Sequence, residues 1–157
     1  MKNLTTFLFS SFGILFVAVL VTFWISSAAP QKEPWVDARL RPAVLEWQRD
    51  LDREGVQWRR GWSRVDSVVV RRVEDRFGRW EKSKRTVVIS PVAIERGAET
   101  LRATVYHELG HAVFHLGHHG EGLMQGCGHR NERYAEKWNE MVEEYISFCK
   151  WNQLSAY

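Results

Sequence analysis

His107-Glu108-Leu109-Gly110-His111 is a His-Glu-x-x-His sequence. On a helix, residues i and i+4 lie one above the other on the same face, so both imidazoles can point at one metal ion. The spacing suits zinc. Glu108 stands beside the first histidine, where a carboxylate can take a proton from an attacking water. Reading outward, Leu101, Val105, Leu109, Ala112 and Val113 recur at helical spacing. They predict a long helix from Ala98 to about Leu116, with Gly117 as its terminator. Residues 117–128 hold five glycines and predict an irregular loop.

A catalytic zinc usually has three protein ligands and one open position. Candidates for the third are His115, His118, His119, His129 and several glutamates. His115 lies eight residues after His107, which on an intact helix is roughly 12 Å along the axis. With Zn–N bonds of about 2 Å, one ion cannot reach both. A break at Gly117 would let the chain fold back and present His118, the favoured ligand. His119 is the adjacent alternative. Glu132, near the start of the last helix, and Glu136, one turn on, are carboxylate alternatives.

Before the motif, Pro42 suits the first turn of a helix, and Ala43, Val44, Trp47 and Leu51 follow at helical spacing toward a stop at Gly55. Residues 65–73, centred on Val68-Val69-Val70, predict a strand, and residues 85–90 a second. Gly78 predicts a turn, and the two strands are expected to form a hairpin with a long charged connection. Ser90-Pro91 predicts a cap and a short helical segment. After the loop, Tyr134, Trp138, Met141, Tyr145 and Phe148 form one apolar stripe, which predicts a C-terminal helix packed on the core. Tyr134 and Tyr145 could donate to an oxyanion, but core packing is the expected role of both. The element order predicts an α+β fold.

Residues 7–25 carry no charge and follow Lys2. A span needs about 20 apolar residues, so residues 1–29 are expected to be a signal anchor or signal peptide. Ser26 and Ala28 offer a cleavage site. Residues 30–41 read as a linker and 42–157 as the domain. The expectation is a membrane-anchored protein with its domain outside the cytoplasm, periplasmic or extracellular, or a secreted one after cleavage. Export would permit one disulfide between Cys127 and Cys149.

The net charge is +3, and the chain after Lys2 carries 21 − 19 = +2. That is too near neutral to argue for nucleic acid. Arginines do concentrate in residues 49–85, interleaved with acids. A solvated sheet surface with mixed pairs is expected there. The sharper alternative is a groove for acidic substrates or an anionic envelope surface.

His107-Glu-Leu-Gly-His111, then Gly117-His118, then Leu123-Met124, resemble the metzincin-like zinc peptidases, in particular small exported bacterial proteins with such a core and a later Gly-His pair. The resemblance is specific over residues 106–125. It implies a zincin-like fold, with a small sheet packed on the motif helix and a C-terminal helix. It implies His107, His111 and His118 as zinc ligands, Glu108 as catalytic base, and Met124 in a tight turn beneath the metal. The chain departs from the usual pattern at Phe114, where that pattern has glycine, and its third histidine comes one residue later. The motif helix is therefore expected to run longer before it breaks. The implied activity is zinc-dependent hydrolysis of peptide bonds in a peptide or protein substrate. A non-catalytic, histidine-rich zinc-binding module tethered to the membrane is the alternative. A membrane-tethered interaction partner carrying the histidines by coincidence is the third.

Overall fold

The computed structural model describes residues 32–119, 122–126 and 134–154. Glu33–Tyr157 forms one unit. It begins with β1 (Trp35–Val36), α1 (Arg41–Arg53), α2 (Arg59–Trp62) and β2 (Ser67–Val70). Next come β3 (Gly78–Glu81), a 3₁₀ turn (Lys82–Lys84) and β4 (Thr86–Ile89). Three helices complete it, α3 (Pro91–Glu95), α4 (Ala98–Phe114) and α5 (Tyr134–Leu154). A four-stranded sheet with five helices is an α+β arrangement. Among the described residues, no helix is long and apolar enough to cross a membrane. Residues 1–29, read as an anchor or signal, lie outside them.

The strand order is β1-β2-β4-β3. β2 runs parallel to both β1 and β4, and only β3 is antiparallel, pairing with β4 from Gly78↔Ile89 to Glu81↔Thr86. The expected hairpin between residues 65–73 and 85–90 is therefore absent. Those segments are parallel neighbours, and the hairpin joins β3 to β4 through the 3₁₀ turn, where Arg85 takes a left-handed φ of 50°. Gly78 opens a strand rather than a turn. Gly-Arg-Trp-Glu lacks the β-branched run that marks interior strands, but an edge strand tolerates charge and glycine.

α1 begins with Pro42 in its first turn and buries Ala43, Val44, Trp47 and Leu51. Ser90 caps α3, its hydroxyl accepting from the Val92 amide. α4 is the hub, with α1, α2, α3, α5, β3 and β4 all packed on it. It is buried on nearly every face from Ala103 to Phe114, as expected of a helix at the centre of a core. Gly61 of α2 lies so close to the Val113 carbonyl that a Cβ there would overlap it. Trp47 packs against Trp58, Trp62 and Phe114, with ring centroids 5.7, 5.9 and 6.2 Å away. The Trp47 indole N–H donates to the Tyr145 hydroxyl at 2.9 Å, which joins α1 to α5 and satisfies a buried donor. α5 buries Met141, Val142, Tyr145, Ile146 and Cys149. Tyr145 thus belongs to the core.

Candidate metal centre

α4 carries His107, Glu108 and His111 in one continuous helical stretch. It ends at Phe114, two residues short of the expected Leu116. His115 takes the left-handed conformation that stops it, at φ 57° and ψ 30°, and Gly117 takes no positive φ. The His115 and Leu116 amides both reach the Gly110 carbonyl, and the Asn152 side chain of α5 donates to the Phe114 carbonyl. The break comes at His115, and His118 follows three residues after it. His115 is exposed and contacts Arg64, far from the role of a ligand.

His107, His111 and His118 come together, with one ligand nitrogen from each within 4.8 Å of the others. The Nε2 atoms of His107 and His111 are 2.9 Å apart, and those of His111 and His118 3.2 Å. Three tetrahedral ligands at Zn–N distances near 2.0–2.1 Å would sit about 3.3 Å apart. Two of the three spacings are near that value, and the three histidines lie close enough together to hold a metal ion.

The other ring nitrogens fix the tautomers. His107 Nδ1 lies 2.7 Å from the Leu123 carbonyl, and His111 Nδ1 2.6 Å from the Leu116 carbonyl. A carbonyl only accepts, so each Nδ1 carries the proton, and a neutral ring so held directs its Nε2 lone pair toward the cluster. Burial lowers the pKa of His111, which favours its neutral form.

Leu123 and Met124 form the centre of a turn closed by the Gln125 amide on the Gly122 carbonyl. Met124 is 1% exposed, and its Sδ lies beside Gly110 beneath the motif. His119 does not join the cluster. Its amide donates to the Met124 carbonyl, and its ring lies 5.3 Å from that of Phe148. Glu132, His129 and Cys127 lie outside the described residues, and with them the expected disulfide. Cys149 is a buried thiol whose pKa burial pushes up.

Glu108 is buried on the wall of a cleft of about 1010 Å³ that also reaches His107, His111 and His118. Burial pushes its carboxyl up to about 7, opposed by a hydrogen bond from the Trp80 amide and by the charge of Arg76. β3 and the preceding loop form the facing wall. A Cβ on Gly78 would stand 2.8 Å from Glu108 Cγ, so the strand lies directly against the carboxylate. Sequence reasoning missed the Leu116 and Leu123 carbonyls and the Trp80 amide, because backbone groups leave no mark in residue type. Gly78 did leave a mark, but it pointed to a turn. No protein-family model, curated protein or solved structure matches this chain.

Proposed function

We propose that the protein is a zinc-dependent peptidase of zincin-like architecture, with His107, His111 and His118 holding the metal and Glu108 as general base. The observation that carries this reading is the convergence of three histidine nitrogens beside one buried carboxyl on a single cleft wall. When bound, zinc supplies Lewis acidity toward water and a peptide carbonyl. Glu108, buried beside the three histidines, accepts a proton from the attacking water and can return it to the leaving amine. The Trp80 amide orients that carboxylate.

β3 is the antiparallel edge of the sheet and lines the cleft. An exposed strand edge can pair with an extended chain through main-chain hydrogen bonds. This supports a peptide rather than a compact small molecule as substrate. His115 and His119 contact Arg64 and Phe148 instead of the cluster, which weighs against a multi-histidine zinc store. Glu108→Gln is the test. It should retain metal and lose hydrolysis of an unfolded protein such as denatured casein. Full hydrolysis by that variant removes Glu108 from the mechanism.

A further inference from the structure

The cleft wall facing the histidines carries Arg72, Arg76, Arg79 and Arg96 against only Glu74 and Asp75. All four arginines are exposed. Arg79 is committed to Glu81 at 2.6 Å, but Glu81 also pairs with Arg71 at 2.6 Å and Lys84 at 3.3 Å. One carboxylate there answers three cations. Among the described residues, no ion pair involves Arg72, Arg76 or Arg96. The Arg96 guanidinium lies 5.4 Å from the centre of the Phe77 ring, so it has a platform that limits its freedom before anything binds.

The chain after Lys2 is close to neutral, so this wall concentrates positive charge that the chain as a whole lacks. A concave site focuses such a field and raises the local concentration of oppositely charged ligands. We propose that Arg72, Arg76 and Arg96 select peptides with acidic side chains and hold them along β3. The inference rests on the peptide-binding reading of the cleft but not on turnover. Guanidinium forks bind carboxylates through paired charge-assisted hydrogen bonds. Each well-formed pair can contribute about a tenfold change in affinity.

The test uses the full chain carrying Glu108→Gln, loaded with zinc, and fluorescein-labelled peptides of alternating Glu and Ala or of alternating Gln and Ala. Anisotropy should show the Glu peptide binding about tenfold tighter or more, and added salt should erode the difference. Arg72→Gln, Arg76→Gln and Arg96→Gln together should abolish the preference and leave zinc content and melting temperature unchanged, because all three side chains are exposed. Equal binding of the two peptides, no binding of either, or a preference that survives the triple substitution overturns the proposal. So does binding to phosphatidylserine vesicles without a peptide preference, which would assign the arginines to a membrane surface. Hydrolysis by the chain with Glu108 intact is read separately. Preference without hydrolysis retains this inference and removes the peptidase reading, whereas hydrolysis without preference does the reverse.

Discussion

Gly110→Ala adds one methyl at the centre of the motif helix, where two effects of similar size oppose each other. Alanine in place of glycine in a helix interior gains about 1 kcal/mol. The new Cβ would stand 2.7 Å from Met124 Sδ, 3.1 Å from a Tyr145 ring carbon and 3.3 Å from Leu116 Cδ1. Ordinary contact begins at 3.4 Å, so the sulfur must move by 3.4 − 2.7 = 0.7 Å. Met124 and Tyr145 are each 1% exposed, and the Tyr145 hydroxyl is held by Trp47. Both side chains are enclosed by the core, and overpacking of this kind costs about 1–3 kcal/mol. The net expectation is a loss of about 1 kcal/mol, or about 3–5 °C in melting temperature for a domain of this size. Melting in excess chelator isolates that effect from metal binding. A second readout follows from the turn itself. Leu123 precedes Met124 and its carbonyl holds His107 Nδ1 at 2.7 Å. Displacing the turn should weaken zinc binding about tenfold or more, measured by competition with a chelating dye. A variant that melts higher and binds zinc unchanged would refute the packing of Met124 beneath the motif.

Three further outcomes are expected. His118→Ala should weaken zinc binding at least about tenfold, whereas His119→Ala should leave it unchanged; the same competition assay decides, and the reverse result would exchange the two histidines. Gly78→Ala demands 3.4 − 2.8 = 0.6 Å of movement from both Glu108 Cγ and Thr104 Cγ2, or from β3. Since misplacement by about 1 Å can cost about a hundredfold, hydrolysis should fall about tenfold with zinc content intact; a loss of zinc instead would mean that β3 supports the ligands rather than the base. Hydrogen bonds from Arg71 and then Arg79 hold the Glu81 carboxyl at about 2, below its ordinary 4.5. Its contribution to stability is present above about 4.5 and fades as pH falls toward about 2. The melting temperatures of the chains with and without Glu81→Gln should therefore differ at neutral pH and converge across that window, and a constant gap would contradict the assignment.

Much of the molecule was legible because its signals are local. The apolar period of α1, α4 and α5, the Ser90-Pro91 cap, and the pairing of His107 with His111 all depend on neighbours one helical turn away. Periodicity reports such neighbours directly. His118 is legible as a candidate wherever the helix stops before it, although the glycine that signals a stop, Gly117, is not the residue that makes it. Histidine at position 115 adopts the left-handed conformation instead, a choice open to any residue that the surrounding contacts compensate. Strand pairing was not legible. β2 and β4 have the composition of two hairpin partners, and only the path of the chain across the sheet makes them parallel and sends Gly78–Glu81 to the edge.

The amino-acid sequence by itself determined the helix that carries the histidine pair and its glutamate, because spacing along one helix sets which side chains share a face. Only the tertiary structure decided what surrounds them. It brought in His118 from beyond a backbone break, set the Leu116 and Leu123 carbonyls behind two of the rings, laid β3 against Glu108, and lined the cleft with arginines. Each of these joins groups separated in the chain through backbone atoms or packing distances. No residue type encodes such a contact until the whole core has closed around α4.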